Sequence, residues 1–197
     1  MEVNIFGEGA VGYKNIVKSS SSQDFFLYKK YKNYAVCTVA DGHSMDVFKY
    51  SHIGSYLACQ SVFEILKTYK LNEDIEKGEQ NFICDLKNKK VQNDIKNKWR
   101  DLVYREFYKR NYKVYKLDYM LFGTTLSFVI FLKEYIVFFN LGDSSILIKE
   151  DKDYVNVFKN NNFKFVNSLA LYNCEEKMQY NILKMNKDFK LVISTDG

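Results

Sequence analysis

Hydrophobic residues come in short, β-type blocks at both ends of the chain and recur at helical spacing between them. Residues 25–31 and 34–40 are rich in aromatic and β-branched side chains and are separated by Lys32-Asn33, which predicts a β-hairpin ending at Asp41. Residues 2–6 alternate weakly and predict a short strand, with Gly7, Gly9 and Gly12 marking turns after it. Over 53–69 apolar residues return every third or fourth position, and Leu57, Val62, Ile65 and Leu66 widen that stripe into the face of a helix. Residues 71–81 are polar and predict a loop. Residues 82–115 are charged but carry Ile83, Leu86, Val91, Ile95, Trp99, Leu102, Val103 and Phe107, which predicts one long helix or two packed beside the first, with Trp99 as a core anchor. From Gly123 the period falls to two. Residues 124–132, 135–141, 145–149 and 154–158 predict an antiparallel meander, 160–162 a loop, and 180–185 with 189–194 a last pair of strands before Asp196-Gly197.

Strands, then helices, then strands describe an α+β fold with helices packed on antiparallel sheet. The βαβ alternation and glycine-rich loop of a dinucleotide or P-loop fold are missing. A chain of 197 residues suits a single domain spanning 1–197, and 47% hydrophobic against 27% charged residues is a folding composition. The net charge of +5 is spread among acids and aromatics, with one dense stretch at Lys87, Lys89, Lys90, Lys96, Lys98 and Arg100. A solvated helix face accounts for that stretch better than a nucleic-acid footprint, so no nucleic-acid partner is expected. The four cysteines form no CxxC pair and no zinc spacing; Cys37 and Cys59 sit in apolar runs as core residues, and free thiols fit a reducing cytosol. There is no signal-peptide pattern and no apolar run of membrane-spanning length. The expectation is a cytoplasmic monomer without membrane contact.

Two Asp-Gly pairs change this picture. Asp41-Gly42 and Asp196-Gly197 each close an apolar β-type run, AVCTVADG and KLVISTDG. One such pair is explained by turn formation alone. Two of them, with Asp143 in NLGDS between two further strands, point to carboxylates gathered at strand ends. Hard oxygen ligands of this kind suit Mg²⁺ or Mn²⁺ and phosphate-ester hydrolysis. With only two histidines in the chain, a His-rich zinc site is disfavoured.

ADGH at 40–43, FGTTL at 122–126, LGDSSILI at 141–148 and STDG at 194–197 occur in the order and approximate spacing of the metal-dependent Ser/Thr protein phosphatases of the PPM (PP2C) type. Gln23-Asp24 lies one hairpin upstream, where that family carries an early acidic motif, and SHIGSYLA at 51–58 resembles its bacterial branch. The resemblance spans nearly the whole chain. It implies an α-β-β-α sandwich of two antiparallel sheets flanked by helices, lacking its last elements. It implies two ions, Mn²⁺ or Mg²⁺, with Asp41 bridging them and the Gly42 carbonyl, Asp196 and Asp24 as further ligands. It implies that His43 protonates the leaving alcohol while metal-activated water attacks phosphorus, and that the partner is a phosphorylated protein, the target of a Ser/Thr kinase. Thr124, Thr125 and Asp143 match structural motifs, Asp143 as an organiser of its turn.

The chain departs from the family at three points. Ser44-Met45 replace the glycines that usually follow DGH. No Arg precedes Arg100, so Lys14 or Lys18 stands in for the phosphate-binding Arg. A further ligand Asp, in a GDN-like motif, would lie beyond residue 197, so the chain is expected to be C-terminally incomplete. The alternative function is a catalytically impaired domain of the same fold that binds phosphoproteins or another partner.

Overall fold

The hairpin forms as β1 (Phe25–Lys30) and β2 (Ala35–Ala40), paired antiparallel from Phe25↔Ala40 to Lys30↔Ala35. The computed structural model describes residues 3–11, 22–110, 116–150, 153–158, 166–185 and 190–195. After the hairpin come three helices, α1 (Ser51–Thr68), α2 (Ile75–Lys87) and α3 (Lys90–Lys109). The strands β3 (Leu126–Phe131), β4 (Tyr135–Leu141), β5 (Ser145–Glu150) and β6 (Asp153–Asn156) follow. A one-turn helix, α4 (Cys174–Lys177), precedes β7 (Gln179–Lys184) and β8 (Leu191–Ser194).

The strands build two antiparallel sheets, β1-β2-β3-β4-β7 and β6-β5-β8. Every residue of β2 and β3 is buried, because the larger sheet is covered on both faces. Alternate residues serve different cores. Val36, Phe128, Ile130, Val137 and Phe139 face the helices and pack with Leu57, Val62, Phe82, Ile95 and Trp99. Ala35, Val129, Phe131, Ile136 and Phe138 face the smaller sheet and pack with Ile146 and Ile148. The layers are therefore helices, large sheet, small sheet, as an α+β sandwich requires.

The helical layer is seated by close backbone approach. A Cβ on Gly54 would lie 1.9 Å from the Phe122 carbonyl oxygen, so α1 lies directly on the turn that precedes β3. Trp99, fully buried as expected, donates its Nε1–H to the Gly54 carbonyl at 3.0 Å and ties α3 to the same spot.

Several expectations are corrected, and of the one or two helices expected from 82 the structure has two. Part of the 71–81 loop is helix: α2 starts at Ile75, capped by the Asp74 side chain accepting from Lys77 N at 3.2 Å. Its first turns bury little beyond Gly78 and Glu79, which is why apolar periodicity did not reveal them. The charged stretch from 82 is two helices, broken at Asn88–Lys89, where Lys89 takes a left-handed φ of 59°. Residues 3–6 form no strand. The meander divides after β4, and β7 and β8 do not pair with each other: β7 adds to β4 and β8 to β5.

Three of the six residues of the dense basic stretch are paired with acids. Lys90 pairs with Asp94 at 2.6 Å and Asp85 at 3.3 Å, Lys96 with Glu175 at 2.8 Å and Lys89 with Glu176 at 2.9 Å. Cys59 is fully buried and burial pushes its thiol up to about 12; Cys37, also buried, rises to about 11. Neither is a thiolate nucleophile at neutral pH. Among the described residues, no helix is long and apolar enough to cross a membrane.

Two outcomes are expected. Gly54→Ala forces α1 off the Phe122 carbonyl and lowers stability by about 1–3 kcal/mol in urea unfolding, as overpacking does. Glu79, buried in α2, accepts from Glu134 N at 3.1 Å, and burial raises its pKa. A carboxyl with a raised folded pKa contributes stability below its unfolded pKa and loses it as pH rises through the folded one. Glu79→Gln keeps an acceptor without the charge, so it is expected to raise the unfolding midpoint at pH 7 and leave it unchanged at pH 3–4.

Candidate functional site

One end of the sandwich collects the candidate residues. The pairing Phe25↔Ala40 puts Asp24 and Asp41 side by side, one step beyond the ends of β1 and β2. The pairing Leu126↔Leu141 brings Thr124-Thr125 and Gly142-Asp143 to that same end. In the smaller sheet Ser145↔Ser194 sets the exit of β8 beside the chain emerging from Asp143. Asp196 and Gly197 lie outside the described residues, as do Lys14 and Lys18.

The backbone of Asp41 is clamped. Its N–H donates to Thr125 Oγ1 at 2.9 Å. Its carbonyl accepts from Thr125 N at 2.8 Å and Thr124 Oγ1 at 2.9 Å. Both threonines are fully buried, and their bonds to the half-buried Asp41 are partly shielded from water. Thr124 and Thr125 thus do what a structural motif should, and their target is the leading ligand candidate.

Gly42 bridges Thr124 without using its own carbonyl, because the flanking bonds come from Thr125 N to Asp41 O and from His43 N to Gly123 O at 3.2 Å. Only glycine fits here. A Cβ would lie 2.6 Å from Gln23 O and 2.9 Å from the Ser51 carbonyl. His43 packs its ring against Phe48 at a centroid separation of 4.7 Å, and burial lowers its pKa, which makes its imidazolium form a stronger acid and leaves proton donation to the protonated fraction.

Gln23 acts as a clasp. Its side-chain amide donates to His43 O at 3.1 Å and Ser51 Oγ at 3.0 Å. Its backbone carbonyl accepts from Gly42 N at 3.2 Å and Ser55 Oγ at 2.6 Å. A Gln can donate to the His43 carbonyl and a carboxylate cannot, since a carbonyl only accepts. In the early motif, Asp24 is therefore the candidate ligand and Gln23 a loop fastener.

Asp24 lines two clefts. The larger, about 620 Å³, runs between residues 5–11, the β1–β2 hairpin and Ile193–Thr195. The smaller, about 480 Å³, runs between α1 and the end of α3 and holds His52, Lys109 and Arg110. Arg110 is ion-paired with Glu106 one turn back. These basic residues were missed in the sequence because a helix end carries no phosphate motif. Asn140 was missed too: buried, it accepts from Ser127 Oγ and donates to Gly142 O at 3.2 Å, fixing the turn that carries Asp143. Its signal was a polar residue inside the apolar run YIVFFNL.

The donors are carboxylate and carbonyl oxygens, which fit Mg²⁺ or Mn²⁺ and not a soft metal. Among the described residues no three His, Cys, Asp or Glu side chains come close enough to hold an ion together. Asp24 and Asp41 are the candidate ligand side chains that the described residues include.

The family model described as protein phosphatase 2C matches residues 11–197. No curated protein matches the sequence. Among solved structures, RsbX in complex with magnesium is similar at 16% identity and a TM-score of 0.51, over 90% of this chain and 67% of that one. The S. agalactiae serine/threonine phosphatase is similar at 18% identity and 0.54, over 90% and 74%. The catalytic domain of the serine/threonine protein phosphatase PstP in complex with two manganese ions is similar at 11% identity and 0.51, over 88% and 70%. At these identities the likeness establishes the sandwich fold.

Thr125→Val removes the acceptor of the Asp41 N–H and leaves that partly buried donor without its protein partner. It is expected to lower stability by about 1–3 kcal/mol in denaturant unfolding.

Proposed function

The chain belongs to the protein phosphatase 2C family, and we propose that it hydrolyses phosphoserine and phosphothreonine in proteins with two bound divalent ions. The observation that carries this reading is the juxtaposition of Asp24 and Asp41 at one sheet end, with the Asp41 backbone clamped by Thr124 and Thr125. Asp41, Asp24, Asp196 and the Gly42 carbonyl would hold Mn²⁺ or Mg²⁺. Such ions supply a low-pKa water as nucleophile and neutralise phosphate oxygens when bound.

The chain's own residues do the rest. His43, oriented by its backbone bond to Gly123 and by Phe48, hands a proton to the departing Ser or Thr oxygen. Lys109 and Arg110 border the cleft beside Asp24, where they favour a phosphorylated, anionic segment. The substrate is a phosphorylated protein made by a Ser/Thr kinase, met in the cytoplasm by a single-domain monomer.

One observation favours a second reading. Gln23 is committed to the loop clasp, so the early motif offers a single carboxylate. A site with too few anionic ligands would bind phosphoproteins without turning them over.

Assay with p-nitrophenyl phosphate and Mn²⁺ separates the two. Groups that merely orient a metal ligand are worth about 10- to 100-fold, so Asp41→Asn is expected to lose more than about a hundredfold in turnover. An absence of Mn²⁺-dependent turnover in the unsubstituted protein selects the binding reading. His43→Ala is expected to slow a phosphothreonine peptide by about a hundredfold and to spare p-nitrophenyl phosphate, whose leaving group needs no proton. Equal loss on both substrates removes His43 from the acid role.

A further inference from the structure

Ser168 lies between β6 and α4, outside any helix or strand, yet it is only 3% exposed. Its Oγ accepts from Thr124 N at 3.1 Å and donates to Thr124 O at 3.2 Å. Leu169 N donates to that same carbonyl at 2.9 Å. Both polar groups of the Thr124 backbone are thus held by residues 168–169. The third bond of the hydroxyl, from Ala170 N at 3.3 Å, closes its own turn.

Thr124 is the residue whose Oγ1 reaches Asp41 O at 2.9 Å, with Thr125 O as a second acceptor at 3.1 Å. Ser168 is therefore one residue removed from the clamp on Asp41. The other end of its segment is moored to the helices. Arg100 Nη2 donates to Leu171 O at 3.3 Å, and Lys96 pairs with Glu175 in a largely buried ion pair at 2.8 Å. A segment fixed at both ends transmits position, because the buried groups it satisfies cannot trade their partners for water.

We propose that Ser168 is a positioning residue for Asp41. It immobilises the Thr124 peptide, Thr124 and Thr125 immobilise the Asp41 backbone, and the Asp41 carboxylate is thereby set for a divalent cation. The inference rests on the reading of Asp41 as a metal ligand. Outer partners of this kind change metal affinity without touching the metal.

The test is Mn²⁺ binding to the purified chain, followed by the EPR signals of free and bound ion. Ser168→Ala is expected to weaken Mn²⁺ binding about tenfold and to broaden the bound-ion spectrum, with an unchanged far-UV circular dichroism spectrum. Thr124→Val, which keeps shape and removes the hydroxyl, is expected to weaken binding by a similar factor. Because Ser168 acts in part through the Thr124 hydroxyl, the double variant is expected to lose less than the product of the two single losses. Should Ser168→Ala lose its structure, Ser168→Cys, which keeps the volume with a poorer donor and acceptor, provides the same comparison. Wild-type affinity in a folded Ser168 variant, or losses that simply multiply in the double variant, overturns the proposal. Asp41→Asn separates the two levels. If it loses Mn²⁺ while Ser168→Ala does not, only the role of Ser168 fails; if it binds as wild type, the metal reading fails and the proposal with it.

Discussion

The grip of Thr124 and Thr125 on the backbone of Asp41 is the constraint on which the site depends. Three hydrogen bonds fix both polar groups of one residue, and the two threonines that make them are fully buried. In a low-dielectric interior such bonds strengthen, and leaving one unmade costs more than it would in water. The surrounding structure keeps those threonines in place. Phe122, two residues upstream of Thr124, carries the carbonyl on which α1 rests at Gly54. Gly123 leaves room for the rings of Phe48 and His43, whose nearest atoms would lie 2.5 and 2.9 Å from any Cβ there. The short stretch 122–125 is thus where the helical layer, the large sheet and the candidate site meet.

The double core explains why a carboxylate pair can stand at a sheet end without loosening the fold. The large sheet is buried on both faces, so β2 and β3 contribute every residue to one core or the other. Strands packed this way are rigid, and the loops at their ends inherit fixed origins. Asp41 and the 142–143 turn issue from such strands, Asp24 precedes the half-exposed edge strand β1 paired to β2, and the Asn140 bond to Gly142 stiffens the turn. Function sits on loops whose geometry the sandwich decides.

The candidate site was legible only in part, for reasons that differ by residue. Asp41, Gly42 and His43 stand out in sequence because an acidic turn after an apolar strand is conspicuous. Gln23 was visible as a position, but its action as a clasp was not, since its partners His43, Ser51 and Ser55 lie 20 to 32 residues away. Ser168 had no signal at all. It occupies an unpatterned stretch, and its partner Thr124 is 44 residues upstream. The basic residues beside Asp24 come from the last turn of α3, more than 80 positions along the chain.

Local period and turn chemistry, which the sequence carries by itself, determined the hairpin, the first helix, the burial of Trp99, the change from helix to strand at Gly123 and the acidic strand end at Asp41. These rest on interactions within a few residues, where side-chain spacing decides which face can be buried. The tertiary structure alone decided which strands pair, that alternate residues of one sheet feed two cores, that β7 and β8 part company despite being neighbours in sequence, and that Ser168 stands behind Asp41. A strand's pattern states that it needs partners on its edges and faces but does not name them. That choice is made by the packing of the whole chain, where distant backbone groups meet or go unsatisfied together.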